Sequence, residues 1–229
     1  MPSSNQFNLP RKLIAESLGT ALLVTAVIGS GIMGEQLADG NAAIALLANT
    51  LSTGAALIVL ILVFGGISGA HFNPVVSLSF ALQGKLHWKE FFAYAAAQIT
   101  GGIAGAMLAH IMFNLPILME SSNARTGLGI WTGEIVASFG LLATILGCLR
   151  SRPDAVPYAV GLFIMSAYWF TSSTSFANPA VTIARSFTDT FSGIGPNDAP
   201  AFIAAQIVGA LLATALFKWL FTQKKISEL

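Results

Sequence analysis

Apolar residues fill this chain in long runs, separated by short polar or charged segments, and the run lengths assign the elements. Leu13–Gly34 is apolar except for Glu16. That suffices for a first span, because about 20 residues cross the hydrocarbon core of a bilayer. Glu35–Asn41 is a short polar loop. From Gly40 to Gly84 there are 45 uncharged residues in succession, too many for one span and too few for two with turns. The pattern predicts a second span over about Ala42–Phe64, a loop dipping into the membrane, and a half-helix from Pro74 to about Leu82. After the charged loop Lys85–Glu90, a third span over about Phe91–Phe113 follows, then a loop over 114–127. Leu128–Leu149 is a fourth span broken only by Glu134, and Arg150–Asp154 is a basic loop. Ala155–Ala184 is again a stretch of 30 uncharged residues, predicting a fifth span at about Val156–Phe170, a re-entrant loop and a half-helix from Pro179. Ala201–Phe221 is the sixth span.

Both long uncharged stretches break at Asn-Pro: Asn73-Pro74-Val75 and Asn178-Pro179-Ala180. Asparagine is a good N-cap and proline is favoured at the first helical position, so each pair marks a helix start. Here the start falls at membrane depth. Non-helical backbone is tolerated there only if it is buried in protein or lines a watery cavity. The two breaks therefore predict two half-helices meeting tip to tip beside a solute pathway.

The halves repeat. AAQITGGIAGAMLA follows the first Asn-Pro pair and AAQIVGALLATALF the second, placing Gln98 and Gln206 at 25 and 28 residues after their asparagines. Glu16 and Glu134 each sit near the start of the first span of a half. Three spans per half is an odd number, so the second half must be inverted, an architecture used by transporters. Nine of the eleven Lys and Arg fall on one predicted side, the exceptions being Arg125 and Arg185. By the positive-inside rule that side is cytoplasmic and holds both termini. The fold class expected is all-α membrane: six transmembrane helices plus two re-entrant half-helices in an inverted 3+3 repeat. Residues 1–10 read as a disordered tail, 11–223 as one channel domain (repeats at about 11–113 and 128–222), and 224–229 as a cytoplasmic tail.

Composition narrows the function classes. Hydrophobic residues make up 55% of the 229, and charged residues only 9%, against about 25% in a soluble domain. A net charge of +1 gives no reason to invoke nucleic acid. The single cysteine, Cys148, excludes an intrachain disulfide and a Cys-based metal site. With three histidines and no recognisable nucleophile–base pair, nothing points to an enzyme, a metal or a cofactor. Gly101, Gly102, Gly105 and Ala109 read as close helix packing in lipid.

SGAHFNPV, the second NPA, the paired AAQI segments and the two glutamates together resemble the major intrinsic proteins, the aquaporins and aquaglyceroporins, over essentially the whole chain. The resemblance implies a passive pore in a cell inner membrane and a homotetramer with one pore per protomer. It also implies that Glu16 and Glu134 brace the re-entrant loops by hydrogen bonding, and that His71 is structural. The physics of the boxes agrees with a pore for neutral solutes. Helix N-termini carry about half a positive charge and repel cations. Asn73 and Asn178 offer amide donors. Gly69, Ala70 and His71, then Thr174, Ser175 and Phe176, offer carbonyl acceptors along the pathway.

One position departs from the family pattern. Three residues after the second asparagine, where an arginine is usual, stands Val181, and the first arginine is Arg185 four residues later. The other filter positions fall at Thr53, at Ser175, and in the fifth span at Ser166 or Tyr168, with Tyr168 preferred. A filter without its fixed cation is expected to be wider. It would pass glycerol-like polyols, urea and neutral metalloid acids such as arsenite, as in bacterial aquaglyceroporins associated with arsenic resistance. Arg185 is then expected in the outer vestibule, attracting polarised solutes or engaging lipid headgroups or Asp189. A strict water channel, a secondary active transporter using Glu16 and Glu134 as a relay, and a structural protein with a vestigial pore are the alternatives.

Overall fold

A computed structural model describes residues 7–222; the segments 1–6 and 223–229, with most of the expected N-terminal tail and all of 224–229, lie outside the described residues. Among the described residues eight α-helices follow one another: α1 (Leu9–Leu37), α2 (Ala42–Ser68), α3 (Pro74–Leu82), α4 (Trp88–Met112), α5 (Leu128–Ser151), α6 (Val156–Phe170), α7 (Pro179–Arg185) and α8 (Ala199–Leu220). Among the described residues there is no strand.

α1 starts at Leu9, inside the stretch expected to be a disordered tail, because the sequence supplies a local start signal. Asn8 Oδ1 accepts from the amide of Arg11 at 3.3 Å and Pro10 occupies the first turn, where its missing N–H costs nothing. Five helices, α1, α2, α4, α5 and α8, are long and apolar enough to cross a bilayer. α6 is shorter, at 15 residues, and is led in by a 3-10 turn over Pro153–Ala155.

The two halves form equivalent packings. α1 lies against α2 and α4, and α5 against α6 and α8, while α2 and α6 join the halves. The half-helix α3 packs on α4 and α8, and α7 on the same two helices and on α1. Small residues set the distances. A Cβ on Gly101 or Gly105 of α4 would overlap the backbone carbonyls of Ser17 or Ala21 on α1, and one on Gly209 of α8 would overlap that of Ile135 on α5. A Cβ on Gly102 would come 3.2 Å from the Ala180 carbonyl, so this glycine lets α7 settle against α4. Leu62, Val63, Leu162 and Leu212 face outward, as lipid-facing side chains do, while Val24, Ile28 and Leu142 are fully buried in the bundle.

Candidate functional site

The half-helices meet at their N-termini. Asn73 caps α3, its Oδ1 accepting from the Val75 amide at 3.0 Å. Asn178 caps α7, its Oδ1 accepting from Ala180 at 3.0 Å and Val181 at 3.3 Å. The two asparagines share one backbone conformation, φ −155° and ψ 119° against φ −157° and ψ 112°. Each amide nitrogen then crosses to the other box. Asn73 Nδ2 donates to the Ala177 carbonyl and Asn178 Nδ2 to the Phe72 carbonyl, both at 2.8 Å. A primary amide has two donor hydrogens, so one per asparagine remains for another acceptor.

The loops leading into the boxes are held in an unusual backbone. Ala70 and Phe72 in the first loop have φ near +50°, and Thr174, Ser175 and Ala177 in the second have φ of 61°, 50° and 48°. Left-handed φ costs a side-chain-bearing residue about 1–2 kcal/mol, and such geometry persists only when its surroundings enforce it. The two glutamates enforce it. Glu16 Oε1 accepts from the His71 amide at 2.9 Å and from Ser68 Oγ at 2.6 Å, while Oε2 accepts from the Phe72 amide at 2.7 Å and Gln98 Nε2 at 2.8 Å. Glu134 repeats this in the second half: Oε1 accepts from Phe176 at 2.9 Å, Oε2 from Ala177 at 2.9 Å and from Gln206 Nε2 at 2.6 Å. The same glutamines reach the half-helices, Gln98 donating to Ser77 Oγ at 3.0 Å and Gln206 to Thr182 Oγ1 at 2.8 Å. Both carboxylates are thus occupied as acceptors. The carbonyls of Gly69, Ala70 and His71, and of Thr174, Ser175 and Phe176, accept no bond among the described residues. Backbone carbonyls are nearly always paired, with protein or with water, so the buried ones at Ala70, Ser175 and Phe176 need water or solute.

A cavity of about 200 Å³ runs past these loops, with Asn73 and Asn178 on its wall. Gly69, Ala70, His71, Ser175 and Phe176 line it, and Thr174 does not. Thr53 from α2, Tyr168 from α6, Ser175 from the loop before α7 and Val181 from α7 all line this cavity, and Tyr168 Oη donates to Thr53 Oγ1 at 3.4 Å. Ser166 is exposed on the outside of α6. The rest of the lining is apolar, with Leu23, Val27, Val160 and Ile164 among it. His71 also lines the cavity. Its Nδ1 lies 3.0 Å from Ser77 Oγ, and its ring lies 4.6 Å from that of Phe80.

Arg185 differs from expectation. It is only 2% exposed, it lines the same cavity as Val181, and it touches neither Asp189 nor an exposed surface. Its Nε donates to the Ser192 carbonyl, and its guanidinium carbon lies 3.4 Å from the centre of the Phe176 ring. Position 181 carries no cation, yet the cavity does. The sequence could not place it, because Ser192 lies in the loop after α7.

That loop is clamped to 114–127. Arg125 donates from Nε to the Gly193 carbonyl at 2.8 Å, and its own amide donates to Asp198 Oδ2 at 2.7 Å. Asp189 Oδ1 accepts from the amide and hydroxyl of Ser122 at 2.8 and 2.9 Å, which holds its carboxyl below the ordinary aspartate value. Ser68, Ser77 and Thr182 were not legible as site residues. The available signal was a hydroxyl four residues after each asparagine, at Ser77 and Thr182, matched to the repeated glutamines.

Comparison with known proteins bears on the whole chain. A family model described as Major intrinsic protein matches residues 3–155 and 150–228. Aquaglyceroporin AqpS of Rhizobium meliloti (strain 1021) is 57% identical over 215 residues, covering 94% of this chain and 92% of that protein. Aquaporin NIP2-3 of Zea mays is 32% identical, with 96% of this chain and 72% of that one covered. The X-ray structure of the aquaglyceroporin from Plasmodium falciparum superposes with a TM-score of 0.76, at 21% identity, over 92% of this chain and 96% of that one. At that identity the likeness concerns the fold.

Proposed function

The chain belongs to the major intrinsic protein family, and on that premise we propose that it is a passive pore for neutral solutes larger than water. At the coarser level it is an aquaglyceroporin-type channel for small solutes in a membrane. The finer reading extends to glycerol-like polyols and to neutral metalloid acids such as arsenite. One observation carries it: unpaired loop carbonyls, the two capping asparagines and small wall residues at Thr53, Ser175 and Val181 share a single cavity. Carbonyl acceptors and amide donors on one side, with apolar side chains on the other, suit a solute with hydroxyls and a carbon face. Small side chains at the constriction leave room for it.

Inner-membrane location with both termini cytoplasmic, and a homotetramer with one pore per protomer, belong to the same proposal. The charge asymmetry of the loops supports the first. A coupled transporter is disfavoured because all four oxygens of Glu16 and Glu134 are engaged by loop amides and glutamines. A strict water channel is the second reading, favoured by the Tyr168–Thr53 contact, which sets an aromatic ring on the cavity wall beside Thr53.

Stopped-flow light scattering on proteoliposomes separates the readings. A channel of the proposed width shrinks and then re-swells in glycerol, urea or arsenite, and an uncoupler has no effect on the final distribution. Shrinkage without re-swelling assigns the narrow water channel. Accumulation beyond equilibrium assigns a transporter, and no permeability above empty liposomes removes the pore altogether.

A further inference from the structure

We infer that Arg185 is the specificity-determining cation of this pore, delivered from one helical turn beyond Val181, and that with Ser175 it forms the polar subsite where a solute's oxygen is held. The inference rests on the channel reading and deepens it.

Four residues along α7 move a Cα by about 6 Å. Helical side chains, however, tilt toward the N-terminus, so a long one covers the turn before its own Cα. The N-terminus of α7 is the Asn178 tip, so Arg185 leans back toward the boxes. Its contacts agree: the guanidinium lies on Phe176, two residues before Asn178. Phe176 is itself fixed, its amide donating to Glu134 Oε1 at 2.9 Å and its ring packed edge-on against Phe202 at 5.1 Å. The Ser192 carbonyl holds Nε. The cation is therefore held from both sides rather than swinging on a free side chain.

Its donors are not all used. Of the guanidinium nitrogens only Nε has a hydrogen-bond partner among the described residues, and no carboxylate pairs with it. Arg125, the other guanidinium near Phe176 at 5.2 Å, is committed to the Gly193 and Phe191 carbonyls. On the wall of the same cavity, the Ser175 hydroxyl is buried and also lacks a partner among the described residues. A buried charge or hydroxyl without a partner is costly. In a channel the lumen supplies that partner as water or a solute oxygen. The pore thus combines width, from Thr53, Ser175 and Val181, with a fixed positive charge that excludes cations.

The test uses the full-length protein in proteoliposomes, with wild type, Arg185→Gln, Arg185→Lys and the exchange variant Val181→Arg/Arg185→Val. The readout is the ratio of methylammonium to glycerol permeability. A charged constriction shifts local ion concentration by about tenfold or more. Arg185→Gln is accordingly expected to raise the ratio at least about tenfold, while Arg185→Lys and the exchange variant keep it low. An unchanged ratio in Arg185→Gln overturns the assignment. So does loss of all flux in both Arg185→Gln and Arg185→Lys, which marks Arg185 as a fastener of the loop through Ser192. Absence of glycerol flux in wild type fails differently, since it removes the channel reading itself.

Discussion

Asn73 and Asn178 each donate a hydrogen bond to the carbonyl immediately upstream of the other, Ala177 and Phe72, at 2.8 Å. One side chain thereby does two tasks: Oδ1 caps its own half-helix and Nδ2 joins the tips. Residues 104 and 106 positions apart in sequence are locked in register at the centre of the bundle.

Asn73→Asp separates the tasks. The carboxylate keeps the cap on Val75 but loses the donor to Ala177. The lost cross-link, with a carbonyl left unsatisfied, is expected to cost about 1–3 kcal/mol. Thermal unfolding in detergent measures that cost, and glycerol permeability is expected to drop with it. An unchanged melting temperature and flux would show that the tips are held elsewhere.

Glu134→Gln replaces an all-acceptor group by one with a single oxygen. An NH₂ then faces either the Phe176 amide or both the Ala177 amide and Gln206 Nε2, and at least one buried donor goes unpaired, at about 1–3 kcal/mol. Flux is expected to fall because the left-handed backbone at Ser175 and Ala177 loses its support. Whatever flux remains should be as insensitive to an uncoupler as that of wild type. Uncoupler sensitivity present in wild type and absent in the variant would instead assign Glu134 a proton.

Thr53→Phe puts a ring beside Tyr168 on the cavity wall and tests the proposed filter. The ratio of glycerol to water permeability is expected to fall about tenfold or more. Val181→Arg should act in the same direction. If neither variant moves the ratio in stopped-flow traces, the constriction lies at another level of the cavity.

Gly101→Leu places a branched side chain where the Ser17 carbonyl now sits. Overpacking of this kind costs about 1–3 kcal/mol or more, and α4 must move off α1. Lower yield and a lower melting temperature are expected. By contrast Gly66→Ala, whose added Cβ meets nothing within 4 Å, is expected to be mild.

Asp189 predicts an acid effect confined to the loops. Its folded pKa lies below the ordinary value because Ser122 donates to the charged form. That contribution is present above the unfolded pKa and is lost as pH falls through the lowered folded one. Amide exchange in 186–198 should therefore accelerate only in strong acid. Asp189→Asn, which keeps an acceptor oxygen for Ser122, should abolish that acid step.

The element order and both half-helix starts were legible because caps and apolar run lengths are local signals. Asn-Pro states where α3 and α7 begin, and α6 spans the predicted Val156–Phe170. Repetition was equally legible: Glu16 with Gln98, and Glu134 with Gln206, stand out at equivalent places before any coordinate is known. Their partners were not, since which amide a carboxylate accepts from depends on the through-space register of helices.

Sequence alone thus determined an inverted pair of three-span repeats with two buried helix starts, because hydrophobic length and capping act over a few residues. Tertiary structure decided that the asparagines cross-link, that Tyr168 rather than Ser166 lines the cavity, and that Arg185 is buried on the cavity wall. Those outcomes follow from how α2, α6, α7 and the loop carrying Ser192 pack together. No spacing along the chain encodes the direction in which a long side chain is held once a loop carbonyl and an aromatic ring take hold of it.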